Sequence, residues 1–311
     1  MLRFVATFAL LASSSVAADP LVTEEVGNGI QLAASGSAFV VVTEGTKHQR
    51  VRTYDVAKRA WKPTTYDVRE ELRALLLDGT SYYGGTGDGA GALYSLEGKP
   101  LVVAPGKPFR SLVRGVAATR SVVAIAGTRD GMVSAFDAKQ VRSLDLALQN
   151  EDGGVGMTTT VAFSPDGKRL AVGTTAHYAF EIDVVAWKVS RLVVHDQSSI
   201  TALSYSRDGK TLVVGTEYGM MLFDVESGKR KDGPKKAPES RVDVIAFAPD
   251  GAHVAIGGHE VAIRIYNTAT WKQKALLEGH RTDVTALAWS ADGKYLASGG
   301  GSELRIWAPL E

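Results

Sequence analysis

The stretch Val161–Thr174, with the sequence VAFSPDGKRLAVGT, decides the fold because it recurs three more times at an interval of 42 residues. The copies read LSYSRDGKTLVVGT from Leu203, IAFAPDGAHVAIGG from Ile245 and LAWSADGKYLASGG from Leu287. Three features stand in the same column of all four copies: an aromatic residue (Phe163, Tyr205, Phe247, Trp289), an Asp-Gly pair (beginning at Asp166, Asp208, Asp250, Asp292) and a second glycine (Gly173, Gly215, Gly257, Gly299). A fixed period of this length indicates a repeat architecture.

Each unit predicts an antiparallel meander of three strands. A short apolar run such as Leu203–Ser206 is typical of a strand covered on both faces. The Asp-Gly pair that follows favours a tight hairpin. We expect a second strand (Thr211–Val214 in this unit) to end at another glycine turn, and a third strand to end at an aromatic or aliphatic residue followed by a short residue.

The third-strand endings extend the repeat into the N-terminal half. They are Tyr54-Asp55, Tyr94-Ser95, Phe136-Asp137, Ile182-Asp183, Phe223-Asp224, Tyr266-Asn267 and Trp307-Ala308. Their spacings of 40, 42, 46, 41, 43 and 41 residues leave no room for a second domain, so residues 19–311 form one domain of seven units. The longest spacing contains the Gly-rich acidic segment Asn150–Gly156.

The last unit, GHRTDVTALAWSADGKYLASGGGSELRIWA from Gly279, resembles the WD-repeat β-propellers. The resemblance implies an all-β, seven-bladed propeller of four-stranded antiparallel blades. Only Gly279-His280 keeps the Gly-His pair of the family, and no unit has a literal Trp-Asp. The Asp that the family places before its final strand is also missing here, where Gly301-Ser302-Glu303 stand. The family's hydrogen-bonded tetrad is therefore expected only in part, from His280, Ser298 and Trp307.

The two ends of the chain are expected to meet. The last unit ends after its third strand, and Leu21–Val26 (LVTEEV) alternates as a strand before the first unit. The resemblance implies that this N-terminal strand completes the last blade. Such pairing removes sheet edges that invite aggregation.

The first 18 residues predict a secretory signal peptide. Arg3 precedes an apolar run from Phe4 to Ala12, and small residues follow up to Ala18, so cleavage is expected after Ala17 or Ala18. The apolar run is too short to span a bilayer, and we expect no transmembrane segment. We therefore expect a periplasmic or secreted protein.

The amino-acid composition excludes several kinds of site and argues against one class of partner. The 311 residues include 35 Lys and Arg, 34 Asp and Glu, and no Cys, which excludes disulfides and Cys-based zinc sites. The near-neutral charge argues against a nucleic-acid partner. No nucleophile elbow, metalloprotease helix or EF-hand loop occurs.

One face of the propeller is the candidate partner-binding surface, because the turns between second and third strands and the connections between blades meet there. We place on it His48, Arg50, Asp88, Arg129, Asp130, His177, Tyr178, Glu217, Tyr218, His259, Glu260 and Arg281. A mixture of charged and aromatic residues suits a contact surface, although an ordinary solvated loop face has the same composition. Arg129, Tyr178 and Tyr218 are the expected anchors.

Several other motifs indicate a function only weakly. His48, His177 and His259 fall in equivalent turns but in different units, which argues against a shared metal. Gly84–Gly91 (GGTGDGAG) is followed by a strand, which favours a turn over a phosphate loop. The basic cluster Lys229–Lys236 suits an anionic partner, or an exposed loop or ragged outer strand at the opposite face. Trp61, Trp187 and Trp271 are expected to pack at outer strands.

The sequence as a whole predicts a non-catalytic protein-interaction scaffold or accessory subunit in the bacterial periplasm. We expect a monomeric propeller within a complex, an unidentified protein partner, and no cofactor or metal. The alternative that stays open is an enzyme, or a binder of a small ligand or metal, that uses the central channel.

Overall fold

The chain forms a seven-bladed β-propeller, as the repeat predicts. The computed structural model describes residues 16–17, 19–27, 29–44, 49–68, 73–76, 80–85, 91–103, 115–118, 122–126, 131–137, 139–146, 156–195 and 198–309. The strands of these residues form seven sheets: six have four antiparallel strands, and the seventh has four antiparallel strands with a short parallel strand added at its outer edge. The described residues include no apolar helix of membrane-spanning length.

The strands follow the chain from blade to blade. The first two, which join later blades, are β1 (Val16–Ala17) and β2 (Val22–Glu25). Blade one contains β3 (Gln31–Ser35), β4 (Ala38–Glu44), β5 (Gln49–Asp55) and β6 (Ala60–Asp67). Blade two contains β7 (Arg73–Leu76), β8 (Ser81–Gly85), β9 (Gly91–Ser95) and β10 (Pro100–Val103). Blade three contains β11 (Gly115–Ala118), β12 (Val123–Ala126), β13 (Met132–Phe136) and β14 (Val141–Asp145).

The C-terminal blades have longer strands. Blade four contains β15 (Thr158–Phe163), β16 (Arg169–Thr174), β17 (Tyr178–Asp183) and β18 (Lys188–His195). Blade five contains β19 (Ile200–Tyr205), β20 (Thr211–Thr216), β21 (Gly219–Asp224) and β22 (Arg230–Lys231). Blade six contains β23 (Val242–Phe247), β24 (His253–Gly258), β25 (Ile263–Asn267) and β26 (Gln273–Leu277). Blade seven contains β27 (Ala286–Trp289), β28 (Leu296–Gly300) and β29 (Glu303–Trp307).

The N-terminal strand closes the ring, which confirms the expected pairing. Strand β2 lies antiparallel to β29, with Val22 opposite Ile306 and Glu25 opposite Glu303. Blade seven thereby gains its fourth strand. Strand β1 pairs in parallel with β26 at the outer edge of blade six. Residues 1–15 and 18 of the expected signal peptide lie outside the described residues.

The Asp-Gly pairs form the turns between first and second strands. Their glycines (Gly167, Gly209, Gly251, Gly293) have φ angles of 69°, 70°, 71° and 72°, a region that side chains with a Cβ rarely adopt. In blade five the Ser206 hydroxyl donates to Asp208 Oδ1 at 2.6 Å and accepts from the Thr211 amide at 2.9 Å. The repeated sequence thus fixes the hairpin through its own side chains.

The second glycine column has a different role from the expected turn. Gly173, Gly215, Gly257 and Gly299 lie within or at the end of the buried second strands, not in turns. A Cβ at these four positions would come within 2.6 to 2.8 Å of a methyl carbon of Ile200, Val242, Val284 and Ile30, respectively. Each of those β-branched residues belongs to the next blade. The glycines are therefore needed for close packing between blades, and the Gly299–Ile30 contact joins blade seven to blade one.

The apolar core is divided among the interfaces between neighbouring blades. One cluster packs Phe39 and Tyr54 of blade one against Leu304 and Ile306 of blade seven. Further clusters join blades one and two, three and four, four and five, five and six, and six and seven. Stability consequently depends on contacts between successive repeats.

Trp61 lies in the outer strand β6, whereas Trp187 and Trp271 lie just before the outer strands β18 and β26. Trp61 packs edge-on against Tyr54 with ring centroids 5.2 Å apart, and the Arg52 guanidinium lies 4.2 Å from its ring centroid. The basic cluster Lys229–Lys236 contains β22, an outer strand of only two residues. The glycines of Gly84–Gly91 that the structure describes belong to β8 and β9, with Gly85 opposite Gly91, so they join strands and start no helix.

Candidate functional site

The turn face is defined here as the side that carries the turns between second and third strands and the connections between blades; the opposite side is the hairpin face. Eight of the twelve residues predicted for the turn face are described: Arg50, His177, Tyr178, Glu217, Tyr218, His259, Glu260 and Arg281. His48, Asp88, Arg129 and Asp130 lie outside the described residues.

Arg50 and His177 lie in blades one and four, outside the blades that carry Glu217, Tyr218, His259, Glu260 and Arg281. Arg50, in blade one, forms an ion pair with Asp67 at 3.2 Å, and both side chains are half exposed. His177, in blade four, is the last residue of a three-residue turn and has a φ of 75°. His177 and His259 are separated by the whole of blade five. Among the described residues, no three His, Asp or Glu side chains are arranged to hold a metal ion.

Tyr178 was predicted to lie on the turn face, and this prediction is wrong. It is only 7% exposed and packs beside Phe180, with ring centroids 5.8 Å apart, in the core between blades three and four. The turn of blade four has three residues, so Tyr178 is already the first residue of β17. In blade five the turn has two residues, and Tyr218 stays in it with 72% of its surface exposed.

The turns of blades five and six are joined through the connection between them. A Cβ on Gly219 would lie 2.6 Å from the Pro238 carbonyl oxygen, so this connection runs directly against the turn of blade five. The next amide, of Glu239, donates to Glu260 Oε1 at 3.0 Å. Arg264 Nε donates to the other oxygen of Glu260 at 2.6 Å. Tyr218 therefore lies on a continuous and firmly held surface.

A charged cluster joins the turn of blade six to the connection that leads into blade seven. His259 Nε2 lies 3.0 Å from Asp283 Oδ2 and 3.9 Å from Asp243 Oδ2. Asp243 also pairs with Arg241 at 2.7 Å. Asp243 was not among the residues predicted for the turn face, although the repeat pattern could have identified it. Asp243 replaces the threonine that the repeat has at 159, 201 and 285.

In blades four and five those threonines bind the next blade. The Thr159 hydroxyl donates to the Ile200 carbonyl at 2.7 Å, and the Thr201 hydroxyl donates to the Val242 carbonyl. Blade six has its ion cluster at the corresponding place. At this position of the repeat, hydrogen bonds connect blade four to five and blade five to six, and charged side chains connect blade six to seven.

The partial tetrad expected in blade seven is present. Trp307 Nε1 donates to Ser298 Oγ at 2.8 Å, and Ser298 Oγ lies 2.7 Å from His280 Nε2. Ser298 and Trp307 are fully buried and His280 is 5% exposed. Burial and the nearby Arg305 lower the pKa of His280 to about 4, so the imidazole is neutral at pH 7. These three residues form a buried hydrogen-bonded chain within blade seven.

Glu303 also belongs to this cluster. The sequence did not identify it as a neighbour of the tetrad. One of its carboxylate oxygens lies 4.0 Å from His280 Nδ1 and accepts a hydrogen bond from Arg305 Nη2 at 2.9 Å. The other carboxylate oxygen lies 3.6 Å from Arg281 Nε. Glu303 thus brings a carboxylate close to the histidine in a unit that lacks the usual turn Asp. Arg281 itself projects outward with 82% of its side chain exposed.

The turn face of blades five to seven suits binding better than reaction chemistry. Its described arginines, Arg241, Arg264, Arg281 and Arg305, lie beside carboxylates, and the described Ser298–His280 pair is buried inside blade seven. Its exposed residues include Tyr218, Glu217, Arg281 and Val261. Val261 is 38% exposed and has a φ of 51°, which is unusual for a β-branched residue. Backbone strain of this kind is a feature from which function can be inferred.

Comparisons with known proteins agree with the fold. The family described as WD domain, G-beta repeat matches residues 271–308. An uncharacterised WD repeat-containing protein of Synechocystis is 27% identical over 163 residues, which cover 52% of this chain and 47% of that protein. The WD repeat-containing protein slp1 of Schizosaccharomyces pombe is 33% identical over 143 residues, covering 42% of this chain and 28% of slp1. SEC12-like protein 1 of Arabidopsis thaliana is 26% identical over 164 residues, covering 50% and 39%. The chain spans less than half the length of each of these relatives.

Proposed function

We propose that this protein is a non-catalytic interaction scaffold that binds a protein partner on the turn face of blades five to seven. The observation that carries the proposal is the exposure of Tyr218, Val261 and Arg281 on three consecutive blades. Tyr and Arg are enriched among the residues that dominate interface energies. A likeness to WD-repeat proteins supports the same class of function.

The framework beneath these side chains favours binding because it is already ordered. The turn of blade five is held against Pro238, Glu239 is bonded to Glu260, and His259 is paired with Asp283. A surface that is fixed before binding loses less conformational entropy on association. Val261 fits this role, since a Gly at the same position would relieve the backbone strain but would remove the exposed apolar contact.

We also propose where the protein is located and in what form it assembles. The signal-peptide pattern of residues 1–18 supports export, and we place the mature propeller in the bacterial periplasm as a monomeric subunit of a complex. Removal of the leader would remove β1 but would leave β2 and the ring closure in place.

The test is affinity capture from periplasmic extract with the tagged mature protein. The triple variant Tyr218→Ala, Val261→Gly and Arg281→Ala is expected to lose at least nine-tenths of the captured partner. Its melting temperature should stay within a few degrees, because all three side chains are exposed. The matched control is Val103→Ala with Val185→Ala, since these residues are 58% and 82% exposed but lie on an outer strand and at the hairpin face.

The control variant should capture as much partner as the unmodified protein. If the control loses the partner while the triple variant keeps it, the chosen surface is wrong. Metal and small-molecule analysis of the same sample addresses the alternative function. A stoichiometric bound cofactor without any protein partner would argue for an enzyme or ligand binder instead.

A further inference from the structure

A basic cluster on the outer side of blade five is not part of the proposed partner-binding surface. Residues 229–236 (KRKDGPKK) contain five cations and one acid. The segment leaves the turn that is closed by the hydrogen bond from Asp224 N to Lys229 O, runs through β22, and reaches Pro238 beside the turn of blade five. It therefore crosses the outer side of the blade from the hairpin face to the turn face.

Four of these cations are exposed and form the basic rim: Lys229, Arg230, Lys235 and Lys236. Within the described part of the chain, none of the four side chains forms an ion pair or a hydrogen bond. Lys231 differs, because its Nζ donates to Thr211 Oγ1 at 3.1 Å. The charge of the basic rim is therefore available to bind an anionic partner.

The segment that carries the basic rim is held against the propeller. Pro234 is buried, and Tyr266 Oη of blade six donates to the Lys236 carbonyl oxygen at 2.6 Å. The Tyr266 ring lies 6.5 Å from the ring of Trp271, which precedes the exposed Lys272. The basic surface therefore continues from blade five onto the neighbouring outer side of blade six.

Protection of a sheet edge does not account for this concentration of cations. Lysines on outer strands prevent unwanted strand pairing. However, β22 has only two residues and exposes little edge. In contrast, β10 of blade two has no charged residue and leaves Leu101 and Val103 52% and 58% exposed. The cations are concentrated where an edge needs them least, which favours a role in binding.

The composition of the basic rim indicates the kind of anionic partner that it fits. Protein interfaces are centred on aromatic and other apolar residues, and lysine is depleted in them. The exposed large apolar side chains of the described residues all lie elsewhere: Leu21, Leu101, Val103, Val185, Tyr218 and Val261. A cluster of cations without an apolar centre suits the headgroups of anionic lipids, which attract Lys and Arg by charge alone.

We propose that the basic rim binds the surface of a bilayer that contains anionic lipids. The choice of a bilayer rests on the proposed export of the protein, whereas the charge of the rim does not. Cleavage after residue 18 removes Arg3 alone among the charged residues and leaves 34 basic and 34 acidic residues, so the attraction comes from the local arrangement of charge. The turn face is a different side of the molecule and stays free for a protein partner.

The experiment measures cosedimentation of the mature protein with vesicles of phosphatidylcholine alone and with vesicles that also contain phosphatidylglycerol. We expect binding to the anionic vesicles only, and a decrease of about tenfold or more from low to high salt because exposed charges are screened. Equal binding to the neutral vesicles, or no binding to the anionic ones, would overturn the proposal. The assay contains no protein partner, so its result is independent of the capture experiment that tests the scaffold function.

Two variants with the same loss of charge locate the site. The rim variant combines Lys229→Gln, Arg230→Gln, Lys235→Gln and Lys236→Gln, and should bind anionic vesicles about tenfold more weakly. The control combines changes at four exposed cations of the hairpins, Lys168→Gln, Arg207→Gln, Lys210→Gln and Lys294→Gln, and should bind as the unmodified protein does. Three of the control lysines each follow a hairpin Asp by two residues, which offsets their charge.

The outcomes separate this site from general attraction and from other anionic partners. Equal losses in the two variants would show that overall charge, and not the basic rim, attracts the vesicles. Rim-dependent binding of polyglutamate without binding of anionic vesicles would assign the rim to an acidic protein and overturn the proposal. Thermal unfolding establishes that the variants are folded, and the comparisons of lipid and salt decide the question if the rim variant is not.

Discussion

A single hydroxyl distinguishes the hairpin of blade six from its counterparts. Ser164, Ser206 and Ser290 each donate to the Asp of the hairpin and accept from the backbone amide five residues later. Blade six has Ala248 at this position, although its backbone hydrogen bonds, from Ala248 N to His253 O and from Gly251 N to Ala248 O, match those of the other blades. Blade six therefore has the same hairpin without the serine. Comparing it with the other blades shows what the serine hydroxyl contributes to stability.

We predict that Ala248→Ser stabilises the protein. Two added hydrogen bonds at a site that already has the required backbone geometry should contribute about 1 kcal/mol and raise the melting temperature by roughly 2 °C. The reverse change in blade five, Ser206→Ala, should lower it by a similar or larger amount. Differential scanning calorimetry of both variants checks the prediction, which is contradicted if Ala248→Ser melts below the unmodified protein.

Individual side chains also mark the limit of sequence reasoning. The sequence placed both Tyr178 and Tyr218 in exposed turns because both follow the same strand motif. One additional turn residue in blade four moves Tyr178 into the core, whereas Tyr218 stays 72% exposed. The pairing of His259 with Asp283 was equally inaccessible, since the two residues are remote in sequence and meet only through the packing of blades six and seven.

Three elements meet at the partial tetrad: the connection that carries His280, strand β28 with Ser298, and strand β29 with Trp307. The neutral imidazole is part of this packing, because protonation would bury a charge next to Arg305. The pKa of His280 falls to about 4 from its ordinary value of 6.5. Folding therefore depends on pH at this junction.

We predict that stability falls as pH drops from 6.5 towards 4. In this window the unfolded chain binds a proton at His280 and the folded chain does not, so acid favours unfolding. The contribution lost is on the order of 3 kcal/mol across the window. Urea unfolding at pH 7 and pH 4.5 measures it.

His280→Gln is the reference for this measurement. The variant should be less stable at pH 7, because the Ser298 contact is altered, but its stability should fall less between pH 7 and pH 4.5. Carboxylates titrate in both proteins and cancel in the comparison. Equal losses in the two proteins would show that His280 does not control this pH dependence.

The whole molecule depends on closing a ring of seven repeats. Strand β2 completes blade seven, and Val26 adds to the core between blades seven and one. The number of blades could be predicted from the period and the third-strand endings, which are local signals, and the closure was expected from the resemblance to WD-repeat propellers. The role of the second glycine column could not be predicted, since the side chain that occupies the space of each missing Cβ comes from the next blade.

Deleting residues 21–26 from the mature chain should lower the melting temperature and cause self-association. The deletion exposes the edge of β29, and an unpaired edge strand can pair with another chain. The control is the chain from Asp19, which keeps β2. Calorimetry and light scattering distinguish the two, and an unchanged melting temperature with a monomeric deletion variant would mean that β2 is not needed for closure.

The pairing of β2 with β29 also sets the order in which the molecule can be completed. The Ser302 hydroxyl donates to a Glu25 carboxylate oxygen at 2.5 Å, a contact between residues 277 positions apart. Strand β2 is synthesised well before its partner β29. Contacts between such distant residues form slowly because a long loop must first be closed. Until β29 has been synthesised, the edge that β2 covers does not exist, so the ring cannot close before blade seven is complete.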